Sequence, residues 1–237
     1  MPPTLYLVRH AEAEHNVKHR FHLPDPILTP GGRTECQNLR ETFPHHNKID
    51  LILSSPHRRA IQTTLLAFSN TLSRPGVPYI LVPNAQEVSA KACDIGFPLD
   101  SLRDVEIPNI FKDAGLSFGV EKIGFELMEE GWNSKQGTYS PIRESVQARA
   151  AALRTWLFNL AAQHIILVTH GAFLHFLTED ETIDDLKKGT GYKNCEFRTF
   201  QFTKGSTMEE AHVVEIGNEK HGMETDVTIL TELDAVR

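Results

Sequence analysis

Cysteine is scarce: Cys36, Cys93 and Cys195 are the only three in 237 residues. An odd count without metal-finger spacing excludes a disulfide framework and a zinc finger, and it predicts reduced thiols in a cytoplasmic protein. No apolar run approaches the roughly 20 residues of a spanning helix, and the first residues show no apolar core behind basic ones. Neither a membrane span nor a secretory leader is therefore expected. Asn-x-Ser/Thr acceptors are missing, in keeping with an intracellular address. Positive charge is in deficit, with 24 Lys and Arg against 31 Asp and Glu, for a net −7. A nucleic-acid partner needs an excess of cations on one face, so that class is excluded. A small anionic substrate is not, because a pocket needs only a few local cations. Internal repeats and low-complexity tracts are absent as well.

What is present reads as one α/β domain over 1–237, long enough for one large domain with an insertion. Four short runs rich in Leu, Ile and Val, without alternation, predict buried strands at Thr4–Val8, Ile49–Leu53, Tyr79–Val82 and Ile165–Thr169. Helical patterns lie between them. Thr29-Pro30 looks like a cap with Pro at the first helical position, followed by Cys36, Leu39 and Phe43 on one face. Ile61, Leu65 and Phe68 recur at helical spacing after Pro56, and Ser140-Pro141 repeats the cap signal before Ile142, Val146, Leu153 and Leu157. The alternation predicts a three-layer sandwich with a mostly parallel central sheet flanked by helices. Residues 91–139, rich in Gly, Pro and acidic side chains, break the pattern and read as an inserted lid, with Trp132 as its anchor. Val213–Ile216 and Val227–Leu230 are read as edge strands.

Reactive residues cluster at the strand ends. Arg9-His10 follow the first strand, Ser54 to Arg59 the second, Glu87 the third, and His170-Gly171 the fourth. In open α/β sheets ligands bind outside the carboxyl ends of the strands, so these groups converge if the four strands are neighbours. Their chemistry suits a phosphate monoester. Arginines surround the charge on the equatorial oxygens. A neutral imidazole can attack phosphorus, giving a covalent intermediate. A carboxylic acid can protonate the leaving alcohol. Like charge from the arginines holds the imidazole neutral. The scheme calls for no metal and no cofactor.

The run Leu5-Tyr6-Leu7-Val8-Arg9-His10-Ala11-Glu12, with Asn16, resembles the histidine phosphatase superfamily, in the branch of the phosphoglycerate mutases and fructose-2,6-bisphosphatases. The likeness continues through Pro26-x-Leu28-Thr29-x-x-Gly32, Ser54-Ser55-Pro56-x-x-Arg59-Ala60-x-Gln62-Thr63, Glu87, Cys93-Asp94-x-Gly96 and Val168-Thr169-His170-Gly171. The resemblance implies that His10 is the nucleophile, that Arg9, Arg59 and His170 complete a phosphate pocket, and that Glu87 is the proton donor. It further implies that Asn16, His22 and Gly171 contact the substrate. Ala11 departs from the pattern, where many members carry Gly; it would matter only where the backbone needs positive φ.

The expected activity is hydrolysis of a small-molecule phosphate ester through a phosphohistidine. Two alternatives stand beside it. Phosphoglycerate mutase chemistry needs extra basic residues for the substrate carboxylate, and only Lys91 and Arg103 supply nearby charge. A non-catalytic phosphate- or protein-binding module is disfavoured because every matched catalytic position is filled. His15, His19 and His22 read as a polar loop at the pocket rim rather than metal ligands, and Cys93 as a buried structural thiol. Phe97, Leu99, Ile107, Phe111, Phe118 and Phe125 read either as apolar walls for an organic leaving group or as packing for a small core of the insertion's own.

Overall fold

Parallel strands buried on both faces must alternate their side chains between two cores, and the chain does so. The computed structural model describes residues 1–180, 191–217 and 226–236. Its strands are β1 (Thr4–Arg9), β2 (Leu51–Ser54), β3 (Tyr79–Leu81), β4 (Ile123–Gly124), β5 (His164–Thr169), β6 (Phe197–Phe202) and β7 (Val213–Ile216). The longer helices are α1 (Pro30–Thr42), α2 (Arg58–Ala67), α3 (Ile107–Ala114), α4 (Arg143–Phe158), α5 (Gly171–Leu177) and α6 (Val227–Leu233). The sheet order is β4-β3-β2-β5-β1-β6-β7. The first five strands in that order run parallel, and β6 and β7 close the far edge antiparallel.

Tyr6, Val8, Ile52, Ile166 and Val168 meet Cys36, Leu39, Ile61 and Leu65 of α1 and α2 on one face. Leu5, Leu7, Leu53, Ile165 and Leu167 meet Val146, Leu153 and Leu157 of α4 and Phe173 and Leu174 of α5 on the other. This is a three-layer sandwich. The four predicted strands are consecutive neighbours, β3-β2-β5-β1, so the adjacency that the site requires is met.

Local chemistry explains the elements. Thr29 caps α1 by accepting from the Gly32 amide at 3.0 Å, with Pro30 in the first turn. Gly32 is required by close approach, since a Cβ there would collide with the Glu12 carbonyl. Three expectations are corrected. The helix after Ser140-Pro141 begins two residues later than the cap pattern suggested, because Ser140 Oγ turns the chain by accepting from the Ile142 amide at 3.3 Å. The second expected edge strand is the helix α6: Asp226 caps it by accepting from the Thr228 amide at 2.7 Å, and Ile229 and Leu233, one turn apart, are both buried. Within the 91–139 stretch, β4 joins the edge of the sheet, and Ile107, Ile110, Ile123 and Trp132 belong to the main core. Phe97, Leu99, Phe111, Phe118 and Phe125 pack against that core and hold the stretch to the sheet, nearer to the packing role than to the pocket wall.

Candidate active site

Register brings the reactive groups together before any side chain is considered. Arg9 of β1 pairs with Thr169 of β5, and Ser54 of β2 pairs with Val168. His10, His170 and Ser55 therefore leave adjacent strands side by side. The His10 amide donates to the Thr169 carbonyl at 2.9 Å and the Ser55 amide to the Val168 carbonyl at 2.9 Å. The His10 and His170 rings end 5.2 Å apart between centroids.

His10 is buried, and its protonation is legible. Nδ1 lies 2.8 Å from the Ala11 carbonyl, which only accepts, so Nδ1 carries the proton. Nε2 receives Nε–H of Arg59 at 3.3 Å and so presents a lone pair. Burial, then the charges of Arg59 and Arg9, push the imidazole well below its ordinary pKa, which keeps it neutral. Ala11 has no positive φ, so the expected departure costs no strain. Its amide donates to Thr63 Oγ1 at 3.0 Å, and Gln62 Oε1 accepts from the Leu28 amide at 2.8 Å, which gives two further matched residues their physical reason.

Arg59 enters from the first turn of α2, fully buried. It donates to the Cys93 carbonyl at 2.7 Å and to Asp94 Oδ1 at 2.9 Å, and lies 3.7 Å from Asp25 Oδ1. Arg9 donates to the Tyr192 carbonyl at 2.8 Å and to Asp226 Oδ2 at 3.1 Å, and its buried Nε has no partner among the described residues. Asn16 accepts from the Ala13 amide at 2.9 Å and borders a cavity of about 360 Å³ with Glu12, Glu35, Lys193 and Asp226. His22 is exposed and, among the described residues, shares no hydrogen bond with these groups. A Cβ on Gly171 would lie 2.5 Å from Ile229 Cγ1 of α6 and 3.2 Å from Arg9 Nε, so only glycine fits beneath that helix.

Glu87 is buried at the start of α5, where its carboxylate accepts from the amides of Val88 at 3.0 Å and Phe173 at 2.9 Å. It also hydrogen-bonds the carboxyl of Glu232 on α6. Burial pushes both carboxyls up, Glu232 well above the ordinary range, where Glu87 beside it adds to the effect. Amides favour the charged form at Glu87, so Glu232 is the member that holds the shared proton. Nζ of Lys135 donates to the Glu87 carbonyl at 2.8 Å, and burial lowers its pKa to about 7. Arg149 fixes the same loop through the carbonyls of Asn84 and Gln86 at 2.9 and 2.6 Å.

Sequence reading missed His57, Asp25, Lys135 and Glu232, all buried here. His15 is corrected from rim to site: it is buried, with its ring 5.7 Å from that of His10. Donor atoms of Cys93, Asp94 and Glu232 lie within 4.8 Å of one another. Asp94 already serves Arg59 and Ser89, and a cation there would face the Arg59 guanidinium. The trio is therefore poorly suited to hold a metal. Burial raises the Cys93 thiol far above its ordinary range, as a structural thiol requires. Among the described residues, no helix is long and apolar enough to cross a membrane.

Comparison with known proteins agrees with this fold. The family model described as histidine phosphatase superfamily (branch 1) matches residues 5–103. A Schizosaccharomyces pombe protein named a probable phosphatase is 25% identical over 207 residues, covering 84% of this chain and 89% of its own. A phosphoglycerate mutase-like protein of Arabidopsis thaliana is 29% identical over 234 residues, covering 83% of each. The crystal structure of an Entamoeba histolytica phosphoserine phosphatase with 3-phosphoglyceric acid superposes with a TM-score of 0.52 at 19% identity, covering 93% of this chain and 98% of that one.

Proposed function

We propose that the chain, whose residues 5–103 match the model of the histidine phosphatase superfamily (branch 1), is a phosphomonoesterase of that superfamily with His10 as its nucleophile. The observation that carries this reading is the tautomer of His10: Nδ1 is tied to Ala11, and a bare Nε2 faces Arg59.

In the first step Nε2 of His10 forms a bond to phosphorus while the bond from phosphorus to the ester oxygen breaks. Arg9, Arg59 and His170 hold the equatorial oxygens, as fixed charge must in such a transfer. The leaving oxygen takes a proton by way of the Glu87 carboxyl, which passes on the proton that Glu232 holds. In the second step water attacks phosphohistidine, the N–P bond breaks, and the water proton returns to Glu87. Asn16, His22 and Gly171 are assigned to the substrate side of the pocket. Cys93, Asp94, Trp132 and Lys135 make the 91–139 stretch a wall of that pocket, in keeping with a lid within one domain.

The substrate class we assign is a small phosphorylated molecule. Hydrolysis is favoured over mutase chemistry because neither expected cation is offered to a substrate carboxylate. Lys91 Nζ donates to the Thr231 carbonyl at 2.7 Å, and exposed Arg103 binds Asp100 and Asp104. Three buried thiols suit the cytoplasm. The test is turnover of nitrophenyl phosphate followed by a panel of sugar phosphates, nucleotides and phosphoserine. Hydrolysis undiminished by EDTA is expected, and loss of all activity with chelator would overturn the metal-free mechanism.

A further inference from the structure

His57 takes no part in the scheme above, yet its imidazole is fully buried beside the site, edge-on to Trp132 with ring centroids 5.6 Å apart. Its Nε2 lies 3.0 Å from the backbone carbonyl of Asp94. A carbonyl only accepts, so that nitrogen carries the proton. Burial, then the charge of Arg59, keeps the ring neutral, which leaves Nδ1 as a lone pair 3.1 Å from Ser55 Oγ. The Ser55 hydroxyl therefore donates to His57. Its oxygen is free to accept, and the atom it meets is Nε2 of His170 at 2.8 Å. His170 is neutral for the same reasons, burial first and Arg59 second. Its proton sits on Nε2, and the buried Nδ1 has no partner among the described residues. One backbone carbonyl thus dictates three proton positions in series.

We infer that His57, acting through Ser55, is a positioning residue that fixes the tautomer of His170 and leaves Nδ1 as its one atom able to take a proton. The consequence rests on the reading of this site as a phosphate pocket. The free protein turns a lone pair, not a donor, toward an arriving phosphoryl oxygen. A dianion then binds together with one proton from solvent, which goes to Nδ1. The resulting imidazolium donates from Nδ1 to the anion and from Nε2 to Ser55. The groups around His170 are mixed in sign. Arg59 and His57 belong to α2 and its cap, Arg9 and His10 to the end of β1, and Lys135 to the 91–139 stretch. Glu87 and its partner Glu232 lie across α5 and α6. The cations disfavour a charged His170 in the empty site, and the anion reverses that balance.

The experiment is imidazole ¹⁵N spectroscopy of the wild type, His57→Leu and His57→Asn, with the His170 signals identified by their loss in His170→Gln. The probe is tungstate, a dianion without a titratable proton near neutral pH, and proton uptake is read by calorimetry in buffers of different ionisation enthalpy. In the free wild type, His170 is expected as the Nε2–H tautomer. With tungstate, both nitrogens become protonated and uptake is close to one proton per anion. Leu removes the acceptor for Ser55, so the hydroxyl can turn and the Nδ1–H tautomer of His170 appears, with proton uptake reduced by more than half. Asn restores an acceptor and the wild-type pattern. A free wild-type protein with His170 protonated on Nδ1, or an unchanged tautomer and uptake in His57→Leu, would overturn the inference. Failure of tungstate to bind the wild type contradicts the phosphate-pocket reading instead, while the free-protein spectrum still decides the relay.

Discussion

Nε of Arg59 lies 3.3 Å from Nε2 of His10, while the same guanidinium is anchored to Asp94 at 2.9 Å and lies 3.7 Å from Asp25. One side chain therefore points a donor at the reactive nitrogen and sets its charge between two buried carboxyls. Arg59→Lys keeps a charge but loses the planar fork. Its kcat on nitrophenyl phosphate is expected to fall about 10²–10³-fold, the usual effect of removing one oriented donor. Arg59→Met should also lose about 3–5 kcal/mol in urea unfolding, as breaking a buried pair does. A Lys variant within tenfold of wild type would contradict the clamp role.

Glu87→Gln separates proton donation from binding. Esters with poor leaving groups, such as alkyl phosphates, should slow by about 10²–10⁴-fold, the range for a lost general acid. Nitrophenyl phosphate, whose leaving group needs no proton, should slow far less. Equal slowing of both would remove Glu87 from that role.

The Glu87–Glu232 pair predicts a pH-dependent stability. Both carboxyls are raised by burial in the folded protein, so the unfolded chain releases these protons at lower pH than the folded one. Their contribution to stability is fully present below the ordinary carboxyl pKa and is lost as pH rises through the raised values. Glu232→Gln keeps a hydrogen bond to Glu87 without a proton to lose. Thermal melting should show the variant gaining on wild type from pH 5 to pH 8. A difference between the two proteins that is constant across that range would show that the pair does not share a buried proton.

Much of this site is legible in sequence because it is built from short segments at the ends of parallel strands. Arg9-His10, Ser54 to Arg59 and His170-Gly171 are local motifs, and a parallel sheet delivers its carboxyl ends to one edge. Asp25, His57 and Lys135 were invisible because their burial is set by long-range packing, and as isolated polar residues they read as loop surface. Glu232 was lost with its helix. Val227 to Leu230 has the apolar, β-branched character of a strand, and only the Asp226 cap and the Ile229–Leu233 spacing signal α6. The two-residue β4 gave no pattern at all.

Gly171 tests how α6 seats on the site. Gly171→Ala must displace Ile229, an overpacking that costs about 1–3 kcal/mol. Melting should fall by roughly 2–4 °C for each of these kcal/mol in a chain of this size. Adding Ile229→Ala opens the space, so the double variant should lose less than the sum of the two singles. Additive losses would mean that the two residues do not compete for one volume.

The central claim is a covalent bond to His10, and it is tested by stopping turnover with alkali, which preserves phosphohistidine, and locating the phosphoryl group by fragmentation mass spectrometry. The expected result is phosphate on His10 of the wild type within a single turnover and none in His10→Ala, which should be inactive. Phosphate on another residue, or full turnover by His10→Ala, would contradict it.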